Sequence, residues 1–291
     1  MKLCRFNDNR LGVVQGDELL DVSEVLEALP GVKWPLPAGD LLIAQLPQLI
    51  PQIRDLLPRV RRLPLAGAHL LSPVANPAKV IAAPLNYHLH VAESAADAQI
   101  HNGVHQPGYE GFKSPVAKFG VFLKSAQSVV GAGDGVQIAF PGRRNDHEVE
   151  LAVVIGKRCK NVTAAAAKEV IAGYCIGLDM TVRGTEDRSY RKSADTYTVL
   201  GPWLVTADEI ATPGNLQFSI EVNGEPRQNA NTRDLITGIE ELIEVASHVY
   251  TLYPGDVILT GTPEGVASIQ PGDVMHAQIE QIGSMNVAIR S

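Results

Sequence analysis

Cysteine is scarce and poorly spaced for structural chemistry. Cys4, Cys159 and Cys175 are the three thiols in 291 residues, an odd number that fits neither a disulfide framework nor a CxxC zinc pattern. Reduced thiols in a cytoplasmic protein are expected. A run of apolar residues long enough to cross a bilayer is also missing. The opening Met-Lys-Leu-Cys-Arg-Phe-Asn-Asp is charged where a secretory signal needs its apolar core, so no membrane partner is expected. Positive charge is in deficit: Lys and Arg number 25 against 32 Asp and Glu, a formal net charge of -7, and Arg59, Arg61 and Arg62 make the one basic run. Such a surface repels a phosphate backbone, which argues against nucleic acid as a partner. Phosphate-binding signatures are absent too. Gly131-Ala132-Gly133-Asp134-Gly135 leads into a strand pattern rather than a helix, and Thr260-Gly261-Thr262-Pro263-Glu264-Gly265 lacks the Gly-Lys-Ser/Thr of a nucleotide loop.

What the chain does have is apolar content, 45% against 20% charged, enough to bury a large core. Residues 1–75 read as a small N-terminal α/β module with a Pro-rich linker, and 76–291 as the main domain. In the module, strands are expected at 3–6 and 11–14 and a helix at 22–29. Prolines such as Pro47 and Pro51 are expected to divide the next apolar stretch into short helices at 40–46 and 48–57. From Lys79 onward strands dominate, with candidates at 80–83, 121–124, 129–130, 136–138, 148–155, 203–206, 217–222, 257–260 and 274–279. Helices are expected at 164–171, with Thr163 as N-cap, and at 238–251, where Ile239, Leu242, Ile243, Ala246 and Val249 recur at helical spacing. Val222-Asn223-Gly224-Glu225 signals a type I′ hairpin. The fold class is α+β, built mainly of antiparallel sheets.

The chemistry starts at Glu148 and Glu150, which lead into the continuously apolar Leu151-Ala152-Val153-Val154-Ile155. In a strand, residues two apart face the same way, and an uninterrupted apolar run is that of a strand buried on both faces. Asp179 ends another apolar run, Gly173-Tyr174-Cys175-Ile176-Gly177-Leu178. Three hard oxygen donors without thiolates suit Mg²⁺ or Mn²⁺. Exposure at strand ends, or pairing with Arg143, Arg144 and Arg183, would account for the same acids without an ion. His90 and Glu93, if helical, are i,i+3 neighbours, so a carboxylate can orient an imidazole as general base; a plain surface pair is the alternative. His88 and His90, with His101 and His105, form a further conceivable ligand set, although Gly103 and Pro107 make 101–111 read as a loop, a candidate lid.

Asn86-Tyr87 with His90 and Glu93, Phe122-Leu123-Lys124, Glu148-Val149-Glu150, Gly177-Leu178-Asp179-Met180-Thr181, Lys192-Ser193, Leu200-Gly201-Pro202-Trp203, Asn231-Thr232-Arg233-Asp234 and Gly261-Thr262-Pro263 occur here in the order that resembles the fumarylacetoacetate hydrolase superfamily. The resemblance runs from about Lys79 to the C-terminus. It implies a mixed β-roll catalytic domain, a homodimer, and one divalent cation on Glu148, Glu150 and Asp179. It further implies hydrolysis of a C–C bond in a β-diketo, acylpyruvate-like acid, giving pyruvate or a related 2-oxo acid and a carboxylic acid. In that picture His90 and Glu93 activate water and Lys192 helps hold the enolate charge, while Arg183, Glu186, Thr262 and Tyr87 contact substrate. Two positions depart from the pattern: Glu186 stands where some hydrolase members carry an amide, and Ala194 replaces the aromatic common after Lys-Ser. The same scaffold hosts isomerases, tautomerases and decarboxylases, and a non-catalytic metal- or ligand-binding protein is the reading from another class.

Overall fold

The structure, a computed structural model, describes residues 1–101 and 108–291. The side chain of His101, the whole of His105 and most of the loop expected at 101–111 lie outside what it describes. Among the described residues no helix is long and apolar enough to cross a membrane.

The strand Val149–Ile155 is buried at every position because each face meets a different apolar cluster. Val149, Leu151, Val153 and Ile155 enter one core, and Ala152 and Val154 enter the other. It pairs antiparallel with Ile171–Asp179 on one side and Val257–Leu259 on the other. Outward from Ile171–Asp179 come Thr198–Thr206, Lys2–Phe6, Arg10–Gln15, Glu18–Asp21 and Arg62–Pro64, so the N-terminal strands extend the same sheet. Outward from Val257–Leu259 lie the parallel Val80–Ala82 and then Phe122–Lys124. The helix Leu41–Leu56 belongs to the core on the Ala152 face. The helix Ile239–Val249 and a five-stranded sheet centred on Gln217–Val222 and Val274–Ile279 belong to the core on the Leu151 face. Few helices and mostly antiparallel strands make this the expected α+β class.

Several elements differ from expectation for identifiable reasons. Leu41–Leu56 is one helix carrying Pro47 and Pro51 inside it, not two helices broken by them. Ile43, Leu46, Leu49, Ile53 and Leu56 form one buried stripe across both prolines. Burying five such side chains, at about 1.5–3 kcal/mol each, outweighs two interior prolines at about 3 kcal/mol each. Ser23–Ala28 and Ala164–Val170 are 3₁₀ rather than α. In the second, the buried residues are Ala167 and Val170, three apart, which matches a three-residue turn, and Thr163 makes no side-chain cap. The strand expected from 203 begins at Thr198. Pro202 is accommodated because the pairing register shifts between Tyr174 and Ile176, leaving it in a bulge without a ladder duty. The hairpin at Asn223 and Gly224 has φ of 53° and 80°, as a type I′ turn requires.

Candidate metal centre and active site

Antiparallel pairing brings the three carboxylates together. Gly177 lies opposite Glu150, and the Asp179 N–H donates to the Glu148 carbonyl at 2.9 Å. Residues directly opposite share a face, so Glu148, Glu150 and Asp179 all project from the sheet on the Ala152 side. Oxygens of the three buried side chains lie within 4.8 Å of one another. Position 177 has no room for a side chain, since a Cβ there would sit 2.5 Å from Leu259 Cδ2.

Charge is distributed unequally over this cluster. Arg183 donates through Nη2 to Glu148 Oε1 at 2.9 Å and through Nε to Asp146 Oδ2 at 2.8 Å. Lys192 Nζ donates to Glu148 Oε2 at 2.7 Å, to Asp179 Oδ2 at 2.8 Å and to Thr181 Oγ1 at 2.6 Å. Lys124 Nζ, fully buried, donates to Asp179 Oδ1 and to the Tyr197 carbonyl. Burial alone would raise the Glu148 pKa, but Lys192 and Arg183 hold it well below the usual carboxylate range. Glu150 has no cation bonded to it among the described residues, and Lys192 reaches it only through space. Its partner is the Gly261 N–H, at 2.5 Å to Oε2, and burial, Asp179 and Glu148 push its pKa well up. A buried carboxylate facing two others, with one oxygen unpartnered among the described residues, is where positive charge is missing. The donor set therefore fits a hard divalent cation held by Glu148, Glu150 and Asp179.

Gly261 reaches Glu150 because it adopts φ of +103°, and a Cβ there would lie 2.6 Å from Asn86 Cβ. Asn86 in turn ties this loop to the chain before the next helix: its Nδ2 donates to the Thr237 and Thr260 carbonyls, each at 2.8 Å. The helix His88–Ala96 then turns His90 and Ser94 inward. His90 Nδ1 lies 2.8 Å from Glu93 Oε2, and Glu93 Oε1 accepts from the Gly265 N–H at 2.9 Å. The carboxylate is fixed at both oxygens, which leaves His90 Nε2 as the nitrogen available to the cavity.

His90, Glu148, Glu150, Asp179, Arg183, Lys192 and Thr262 line one cavity, with Glu93 directly behind His90. Two of the expected substrate contacts are elsewhere. Tyr87 is buried and packs edge-on against Phe218, ring centroids 6.1 Å apart, because an aromatic at the start of this helix completes the apolar core. Glu186 is paired with Arg143 by two bonds of 2.8 Å, and that neighbour lowers its pKa to about 2. Thr262 Oγ1 donates to the Val149 carbonyl and accepts from Gln228 Nε2. Reading the sequence for its acids missed the groups around them. Gln228 joins His147, the Val149 N–H and Thr262, yet stands in a polar strand with no motif. Arg188 and Arg191 also line the cavity; an unusual density of arginine between Arg183 and Arg191 was the available signal.

Residues 79–290 match the family described as fumarylacetoacetate (FAA) hydrolase, C-terminal. Over 291 residues the chain is 59% identical to a maleylpyruvate hydrolase of Aquipseudomonas alcaligenes, covering 100% of both chains. It is 36% identical over 242 residues to the mitochondrial oxaloacetate tautomerase Fahd2a of Rattus norvegicus, covering 79% of this chain and 72% of that one. The solved structure of maleylpyruvate hydrolase from Sphingobium sp. SYK-6 in complex with manganese (II) ion and pyruvate matches with a TM-score of 0.82 at 40% identity, covering 100% of this chain and 99% of that chain.

Proposed function

The chain belongs to the fumarylacetoacetate hydrolase family, and from that membership we propose that it is a divalent-metal-dependent hydrolase of maleylpyruvate or a close acylpyruvate. The products are pyruvate and the carboxylic acid of the acyl group. The observation that carries this reading is one cavity holding both a three-carboxylate ion site and the His90–Glu93 pair. Full-length identity to a maleylpyruvate hydrolase supports the acyl group.

Glu148, Glu150 and Asp179 would hold Mg²⁺ or Mn²⁺, which supplies the Lewis-acid charge that an enolate leaving group needs. His90 takes a proton from water through Nε2, with Glu93 fixing the ring and stabilising the imidazolium. The water oxygen attacks the acyl carbonyl carbon. As the C–C bond to the pyruvate methylene breaks, its electron pair becomes the enolate of pyruvate, and the proton taken by His90 is the one that carbon requires. Lys192 and Arg183 add positive charge beside Glu148, and Lys192 turns toward substrate only by releasing one of its three bonds. Thr262 presents its loop to the substrate carboxylate. We further take residues 76–291 as the catalytic unit with 1–75 appended, and a cytoplasmic homodimer as the working form. Exposed Trp34 and Leu36 offer apolar surface for a partner subunit.

The test is pyruvate release from maleylpyruvate with Mn²⁺, monitored by a coupled lactate dehydrogenase assay. Turnover that EDTA abolishes and Mn²⁺ restores is the expected result. Enol–keto conversion of oxaloacetate without pyruvate release from any acylpyruvate would make the protein a tautomerase instead.

A further inference from the structure

Arg188 differs from the other cations on the cavity wall in what it touches. Arg183 and Lys192 are neutralised by carboxylates, and Arg191 donates to the carbonyls of Glu186 and Val182. The Arg188 guanidinium has no hydrogen-bond or ion-pair partner among the described residues. It lies over two aromatic rings, 5.7 Å from the Phe119 centroid and 5.6 Å from that of Phe122. Lys192 Nζ approaches the same Phe122 ring at 5.7 Å. Phe122 therefore contacts both Lys192, at the ion-site end of the cavity, and Arg188, which also borders a neighbouring depression lined by Val121, Leu123, Asp187, Ser189 and Tyr250.

We propose that Arg188 is a specificity-determining residue, receiving a carboxylate at the far end of the substrate's acyl group. This rests on the acylpyruvate reading above. The guanidinium is half-buried and feels Asp187, Glu148 and Asp179 only through space, so its hydrogen-bonding fork is unfilled, and that planar fork is built to receive a carboxylate through two parallel bonds. The two rings hold it in place at little entropic cost. A dianionic substrate then places one carboxylate at the ion-site end and the other on Arg188, with the bond to be broken between them.

Arg188→Met and Arg188→Lys are compared with the parent protein on maleylpyruvate and on acetylpyruvate, which ends in a methyl group. The maleylpyruvate-to-acetylpyruvate ratio of kcat/KM is expected to fall about 10- to 100-fold in Arg188→Met, mainly through KM, and to recover in part in Arg188→Lys. A ratio within about threefold of the parent, or equal losses on both substrates, overturns the proposal. Binding of maleate against crotonate, by titration calorimetry with Mn²⁺ present, separates this from the reaction itself. If the parent releases no pyruvate yet prefers maleate, and Arg188→Met abolishes that preference, hydrolysis fails and the subsite stands. If the parent shows no preference for maleate, the subsite is overturned.

Discussion

Along one face of the central strand, side chains two residues apart meet opposite circumstances. Ala152 and Val154 pack in the core that holds Ile43, Leu46 and Ile53 of the long helix, where apolar contact completes the interaction. Glu148 and Glu150, on the same face, are as deeply buried but cannot be completed by packing. Glu148 is satisfied by Lys192 and Arg183, whereas Glu150 has a single backbone donor. The apolar end of the strand is finished by the chain itself. The acidic end needs something the chain does not supply, and that asymmetry is what makes it a site.

The comparison breaks most severely at the acidic end. Glu150→Gln, or EDTA treatment of the parent, should lower kcat/KM for maleylpyruvate by about a thousandfold or more. Circular dichroism should show the fold intact. His90→Ala should lower kcat by about 10²- to 10⁴-fold while Mn²⁺ affinity stays within about threefold of the parent, because the imidazole is no ligand in this account. At the apolar end the effect should fall on stability instead: Ile53→Ala should cost about 2–5 kcal/mol in denaturant unfolding and leave the Mn²⁺ affinity of the folded protein as it was.

A smaller effect concerns pH. In the ion-free protein Glu150 is held above its ordinary value of 4.5, so above 4.5 the folded chain keeps a proton that the unfolded chain has lost. Stability therefore falls as pH rises through that window, by at most about 1.4 kcal/mol per pH unit. Glu148 is shifted the opposite way; its contribution is present above 4.5 and lost as pH falls below it. Thermal melts across this range should show the gap between Mn²⁺-loaded and EDTA-treated protein widening as pH rises. Least affected of all should be the thiols. Burial pushes Cys4 and Cys175 up to about 12, so a thiol reagent near neutral pH should modify Cys159 alone in the folded protein.

Much of this contrast is legible in the sequence. The period of two places Glu148 and Glu150 on one face, and the unbroken apolar run after them signals burial on both sides. The i,i+3 spacing of His90 and Glu93 is enough to foresee their contact. What sequence could not carry was register and surroundings. That Asp179 falls opposite Glu148 depends on strand pairing, which no local pattern fixes. Tyr87 sits in a stretch that matches the family and Glu186 at a position that departs from its pattern, and tertiary packing against Phe218 and pairing with Arg143 take them away from the cavity. Pro47 and Pro51 misled because their cost is local, whereas the stripe that outweighs it is read only over the whole helix. Gln228 was invisible because a glutamine in a polar strand acquires its role from what lies across the core.

Titration calorimetry of the metal-free protein with Mn²⁺, in two buffers of different ionisation enthalpy, tests the central claim most directly. One ion per chain should bind with release of a proton to the buffer, and Glu150→Gln should bind more weakly with that release lost. A parent protein that takes up no Mn²⁺, or takes it up with the same proton count and affinity as Glu150→Gln, would contradict the account.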